Sequence, residues 1–173
     1  MKKNKSIVVL LAAYNGEKYI SSQIRSILNQ SISPKKIFVS VDRSNDKTLE
    51  ILKKYSSRNS KIEIISKNHR YGSSFLNFIN LLKVKKIKEY DYVALSDQDE
   101  IWRKNKFKLA INQLNKNYDC YSSDVLAFWI NGKKKIIKKS HKQKSFDYFF
   151  EAGGPGCTYV MKKNFIIEFQ KFL

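Results

Sequence analysis

The sequence predicts a single α/β domain with a mostly parallel central sheet, helices on both faces and a hairpin region near the C-terminus. Three observations point there. Short apolar, β-branched runs alternate with stretches of helical periodicity as far as Asn115, the pattern of βαβ units. Right-handed crossovers between such strands place helices on both sides of the sheet. Beyond Asn115 the pattern gives way to two strand-like runs around Asn131-Gly132.

Taken in order, Ile7 to Leu11 is continuous and β-branched, as expected of a strand buried on both faces. Ile20, Ile24, Ile27 and Leu28 then recur at helical spacing. Ile37 to Val41 reads as a second strand. Asp46 is placed to cap a helix carrying Leu49, Leu52 and Tyr55. Ile62 to Ile65 is a third strand, and Phe75, Phe78, Ile79 and Leu82 mark the core face of a third helix. Tyr92 to Ser96 is the fourth strand, followed by a helix on Phe107, Ile111 and Leu114.

Val125 to Ile130 and Lys133 to Lys139 form the predicted hairpin, with Asn-Gly suited to a type I′ turn. The lysines of its second half suit an exposed or edge strand. Gly153-Gly154-Pro155-Gly156 reads as a rigid turn before a strand from Cys157 to Met161. Asn164 to Leu173 reads as a helix with Phe165, Phe169 and Phe172 on one face. It stops without a cap or breaker, so residues 1–173 are expected to be one domain lacking its C-terminal part.

The bulk properties narrow the class. No apolar run is long enough to span a bilayer. The basic start, Met1 to Lys5, leads into an apolar stretch with no small-residue cleavage site, so no signal peptide is expected. Cys120 and Cys157 are too few for a disulfide framework, and reduced thiols in a cytoplasmic protein are expected. The 34 basic and 15 acidic side chains leave a net charge of +19. Such a field suits nucleic acid, an anionic membrane surface, or no specific partner. The lysines are scattered, which favours the last; peripheral membrane contact ranks next, and nucleic acid is not expected.

Polar residues follow the predicted strands: Tyr14-Asn15 after the first, Asp42 after the second, Asp97-Gln98-Asp99 after the fourth. In an open α/β sheet the carboxyl ends of the strands form the ligand crevice. Asp97 and Asp99 repel each other unless a proton or cation intervenes. A hard divalent ion shared with substrate phosphates meets that need. Asp42 is placed to accept hydrogen bonds from a base or ribose, or simply to form a turn with Ser44, Asn45 and Asp46. Tyr14 can stack on a base or pack as a half-buried aromatic. His69 and His141 are not spaced as a metal pair. There is no Gly-rich phosphate loop and no legible Ser/His/Asp arrangement.

The residues also resemble a known family. Ile7 to Glu17 resembles the opening of family 2 glycosyltransferases, and Gln23 to Gln30 their first helix. Val41-Asp42-Arg43-Ser44-Asn45-Asp46-Lys47-Thr48 is similar to their Asp-Asp-Gly-Ser-x-Asp-x-Thr segment. Gly72 to Phe78 and Ala94-Leu95-Ser96-Asp97-Gln98-Asp99-Glu100-Ile101-Trp102 resemble the bacterial rhamnosyltransferase-like branch, as does the Gly156-Cys157-Thr158 turn. The matches run in order along nearly the whole chain.

The resemblance implies a GT-A-type fold and a metal-dependent, inverting transfer of sugar. The donor would be a nucleotide sugar, such as a UDP- or dTDP-sugar, and the acceptor a surface polysaccharide or lipid-linked glycan. Ala12, Tyr14, Asn15 and Glu17 would line the nucleoside pocket, and Asp42 would bind the base. Asn77, Asp97 and Gln98 complete the implied nucleotide-sugar set. Asp99, with Asp97, would hold Mn²⁺ or Mg²⁺.

The chain departs from the family pattern at Val41, Arg43 and Ala13, where Asp, Gly and Thr are usual. The implied general base lies downstream of Gly156-Cys157-Thr158, beyond Leu173; Asp147 and Glu151 precede that turn. The expected protein is thus a cytoplasmic enzyme, with peripheral contact at the inner face of the membrane as the second-ranked reading of its basic surface. The alternatives are a non-catalytic relative of the same fold and a basic nucleic-acid-binding domain.

Overall fold

The computed structural model describes residues 5–141, 144–146 and 154–173. Asp147, Glu151 and Gly153 lie outside them. A six-stranded sheet in the order β3-β2-β1-β4-β8-β5 forms the centre. Strands β1 (Ile7–Ala13), β2 (Lys36–Asp42), β3 (Ile62–His69) and β4 (Tyr92–Ser96) are parallel. The short β5 (Cys120–Tyr121) and β8 (Val160–Lys162) extend the sheet, with β8 antiparallel to both neighbours.

Every residue of β1 is buried, because helices cover both faces of the sheet. Successive side chains of a strand point to opposite faces. Ile7, Val9, Leu11 and Ala13 therefore join a core with α1 (Ile20–Leu28), α2 (Thr48–Arg58) and α4 (Lys106–Leu114). Val8, Leu10 and Ala12 join a second core under α3 (Ser74–Leu82) and α5 (Lys163–Phe169).

After β3 the chain crosses to the far side of β1, and α3 lies on the face opposite α1 and α2. This is a topological switch point, the place where an α/β sheet opens a crevice at its strand ends. It falls between β1 and β4.

Four details differ from the sequence expectation. Helix α3 buries Asn77, Phe78, Leu81 and Leu82, whereas Phe75 is 68% exposed. A helix apolar nearly all round offers two adjacent stripes at helical spacing, and contact with the sheet selects one.

The hairpin β6 (Val125–Phe128) and β7 (Lys134–Ile137) forms as a separate two-stranded sheet. Its turn is not type I′, which needs positive φ at both central residues. Gly132 N–H donates to the Trp129 carbonyl, Trp129 N–H donates to the Lys133 carbonyl, and only Gly132 has positive φ (81°). The loop is a turn over Ile130-Asn131 closed by a glycine bulge.

Residues Gly156–Thr158 form a 3-10 turn, so the following strand starts at Val160 rather than at Cys157. Helix α5 ends at Phe169 and continues as a 3-10 turn, Gln170–Phe172. It buries Ile166, while Phe165, Phe169 and Phe172 face outward. The aromatic stripe is the outer one because the inner position is set by packing against the second core.

Candidate functional site

A cavity of about 690 Å³ opens at the carboxyl ends of β1, β2 and β4, within the range of small-molecule sites. Ala12, Tyr14, Asp42, Asn77, Asp97, Gln98 and Asp99 all line it. Residues that sequence reasoning did not assign to the site also line it, among them Arg43, Arg70, Ser73 and Ser74.

Asp42 terminates β2 and is only 6% exposed. Oδ1 accepts from the N–H groups of Arg43 (2.7 Å) and Tyr71 (3.0 Å), and Oδ2 from that of Gly72 (3.1 Å). The carboxylate thereby draws the segment after β3 over the cavity and brings Arg70 to its wall. Asn77 projects from α3 beneath this segment and is 2% exposed. Its Nδ2 donates to the Ser40 carbonyl, while Oδ1 has no partner among the described residues. A buried amide oxygen left unpaired costs about 1–3 kcal/mol.

The first loop is built by reciprocal clamps. Asn15 takes positive φ (46°), a conformation Asn tolerates. Its N–H donates to Ser44 Oγ (3.1 Å), and its Oδ1 accepts from Asn45 N–H (2.9 Å). Glu17 accepts from Lys47 N–H at 2.9 Å, and Asp46 accepts from Glu17 N–H at 2.9 Å. Asn15 and Glu17 tie the loop after β1 to the loop after β2 and are not among the residues lining the cavity.

The sequence places Asp46 as the cap of α2. It lies one residue further out, with Lys47 between it and the helix, and accepts from both the N–H and the hydroxyl of Thr48. Thr48 in turn accepts from Gly16 N–H at 2.7 Å and is fully buried. Burial opposes ionisation of Asp46, but the hydrogen bonds from Thr48 and Glu17 outweigh it and hold the carboxyl below its ordinary range.

At the switch point Asp97, Gln98 and Asp99 follow β4. Burial, then the nearby Glu100 and Asp99 carboxylates, push the Asp97 carboxyl up to about 6. Asp97, Glu100 and Cys157 offer ligand atoms within 4.8 Å of one another, whereas Asp99 is exposed on the cavity wall. The sequence pattern does not single out Glu100 as a member of this group. Its Oε2 accepts from Trp102 Nε1 at 3.2 Å, and burial raises its pKa despite hydrogen bonds from Cys157 and Trp102. Lys106 stacks over the Trp102 ring at 4.2 Å and donates to the Cys157 carbonyl. Burial lowers its pKa to about 8. Glu100, Trp102 and Lys106 thus pin the Gly156–Thr158 turn beside the acidic loop. The signal in the sequence was the Asp99-Glu100-Ile101-Trp102 run, but its partner Cys157 is distant along the chain.

The donor set fits a hard divalent cation. Three carboxylates, Asp97, Asp99 and Glu100, crowd one loop, and their mutual repulsion is part of what raises Asp97. Burial, and then the Glu100 carboxylate, raise the pKa of the Cys157 thiol. Both cysteines are free. No helix among the described residues is long and apolar enough to cross a membrane.

Comparison with known proteins agrees with this geometry. Residues 8–168 match the model for glycosyl transferase family 2. The chain is 46% identical over 165 residues to the dTDP-rhamnosyl transferase RfbG of Shigella flexneri, covering 94% of this chain and 57% of that protein. Staphylococcus aureus TarS 1–349 in complex with UDP-GlcNAc superimposes with a TM-score of 0.68 at 20% identity, over 94% of this chain and 47% of that one. The mannosyltransferase PcManGT of Pyrobaculum calidifontis, in complex with GDP-Man and Mn²⁺, gives a TM-score of 0.68 at 13% identity, over 97% and 47%. The chain spans about half the length of these relatives. With the family model matched over most of its length and a cavity at the strand ends of a mainly parallel sheet, the chain belongs to glycosyltransferase family 2 and has the GT-A fold.

Proposed function

We propose that this chain holds the donor in the transfer of a sugar from a nucleotide sugar to a glycan or lipid-linked acceptor of a bacterial surface polysaccharide. The observation that carries the reading is the strand-end cavity, with Asp42 and the orphan Asn77 oxygen in one part and the acidic loop in another. A nucleotide sugar is polar along its whole length and needs such a lining. The relatives support the donor class: RfbG is a dTDP-rhamnosyl transferase, and TarS and PcManGT bind UDP-GlcNAc and GDP-Man.

In this reading Tyr14 and Ala12 flank the nucleoside, Asp42 orders the loop that receives the base, and Asn77 offers its free oxygen. Asp97 and Asp99 hold Mn²⁺ or Mg²⁺, whose charge supports the departing nucleoside diphosphate when the ion is bound. Asn15, Glu17 and Thr48 keep the nucleoside loop in place. Gln98 ties that loop to the acidic one. The transfer inverts the anomeric centre, and its general base is supplied from outside the described residues. The enzyme works in the cytoplasm at the inner membrane face, where a lipid-linked acceptor is presented.

The full-length protein, incubated with dTDP- and UDP-sugars, Mn²⁺ and a bacterial lipid extract, is expected to release nucleoside diphosphate and extend a lipid-linked glycan. Absence of turnover and of binding with every nucleotide sugar would contradict the assignment.

A further inference from the structure

The β6–β7 hairpin carries an exposed apolar and basic surface that the donor site does not use. None of its residues belongs to either core. In an antiparallel pair, directly opposed residues share a face. Leu126 opposes Ile136 and Phe128 opposes Lys134, so Leu126, Phe128 and Ile136 form one apolar face. They are 41%, 57% and 69% exposed. At the tip Ile130 is 97% exposed and Trp129 is 47% exposed.

The charge around this surface has one sign. Five lysines, Lys133, Lys134, Lys135, Lys138 and Lys139, follow the tip, and no acidic residue occurs from Val125 to Ser140. At the base, Asp124 accepts from the N–H groups of Lys139 (2.6 Å) and Ser140 (2.8 Å), closing the hairpin and spending that carboxylate on the backbone. Lys133 lies over the Trp129 ring at 5.9 Å.

We infer that this hairpin is the element that docks the protein on an anionic lipid bilayer, with Trp129 and Ile130 entering the interface and the lysines on the headgroups. A Trp beside an apolar tip suits the boundary between headgroup and acyl chain. Clustered lysines are attracted to anionic lipids within a Debye length. A second copy of this chain would bring the same lysines together, in a protein already at +19, so like charge opposes self-association there. The inference places the membrane contact of the proposed function on one element. It does not depend on which donor is bound.

The test is co-sedimentation of the full-length protein with phosphatidylcholine vesicles made with and without phosphatidylglycerol. Wild type is expected to bind only the anionic vesicles, and less in high salt. Replacing Lys133, Lys134 and Lys135 by Ser is expected to lower partitioning on the order of a hundredfold, at roughly fivefold per lysine. Trp129→Ser with Ile130→Ser is expected to lower it at least tenfold, since two apolar side chains leave the interface. Both variants should bind nucleoside diphosphate as wild type does, because none of these residues lines the cavity.

Wild-type binding to anionic vesicles by both variants would overturn the inference. So would wild-type indifference to phosphatidylglycerol. A wild-type oligomer seen by light scattering and dissolved by the tip variant, with vesicle binding unchanged, would assign the surface to a second copy instead. Failure of nucleotide binding in wild type would count against the donor reading alone.

Discussion

The side-chain amide of Gln98 grips the backbone of Tyr14 from both sides, accepting its N–H at 3.2 Å and donating to its carbonyl at 3.1 Å. This pair bridges the switch point, joining the loop after β1 to the acidic loop after β4. It also explains Gly16, where a Cβ would stand 2.6 Å from Gln98 Cγ.

Gln98→Ala should therefore loosen the nucleoside loop without emptying the core. Losing two hydrogen bonds at the cavity is expected to weaken nucleoside diphosphate binding about tenfold, with a small change in stability. Gly16→Ala should push Gln98 off the same contacts and destabilise the fold by about 1–3 kcal/mol. Calorimetric titration and urea denaturation of the two variants separate these effects. Wild-type affinity in both would show that the Tyr14–Gln98 link is not used in binding.

Thr48 carries the other loop junction. Its buried hydroxyl accepts from Gly16 N–H and donates to Asp46. Thr48→Val keeps the shape but leaves a buried N–H without a partner, so a loss of roughly 1–3 kcal/mol is expected. The change should appear as a lower urea midpoint with an unaltered slope. A midpoint equal to wild type would mean that the Asn15 and Glu17 clamps suffice without it.

The Asp97 carboxyl gives a pH prediction. Its folded pKa of about 6 lies above its ordinary 3.8, so the protonated form favours the fold. That contribution is full below the unfolded value and is lost as pH rises through about 6. Asp97→Asn should consequently be at least as stable as wild type at pH 8, with its relative advantage growing between pH 4 and 7. The same substitution should weaken Mn²⁺ binding. Thermal unfolding of both proteins across this range, without metal, tests the sign; a relative advantage that shrinks as pH rises would reverse the assignment of Asp97 as a strained buried carboxylate.

The legible parts of the sequence were those where one physical demand dominates. β1 is buried on both faces, so it could only be an unbroken apolar run. Asp42, Tyr14 and Asp97 could be grouped because parallel strands share one carboxyl edge. The rest depended on contacts between distant segments. Phe75 and Leu81 fit equally good helical stripes on α3, and only the sheet chooses between them. Arg70 reaches the cavity because Asp42 holds Tyr71 and Gly72, and Cys157 meets Glu100 only once β8 pairs with β4. Asn15 and Glu17 matched the family pattern yet serve the loop junction, since spacing identifies a loop but not which way its side chains turn. The Asn131-Gly132 pair signalled a hairpin correctly, but the turn falls one residue earlier, over Ile130-Asn131, with Gly132 at the bulge.

The proposed function requires the acidic loop to bind a nucleotide sugar through a divalent cation. Calorimetric titration of dTDP and UDP, with and without Mn²⁺, into wild type and Asp99→Ala tests it most directly. Binding to wild type should strengthen at least tenfold with Mn²⁺, and Asp99→Ala should keep only the metal-independent part. Equal enhancement by Mn²⁺ in both proteins would contradict the account.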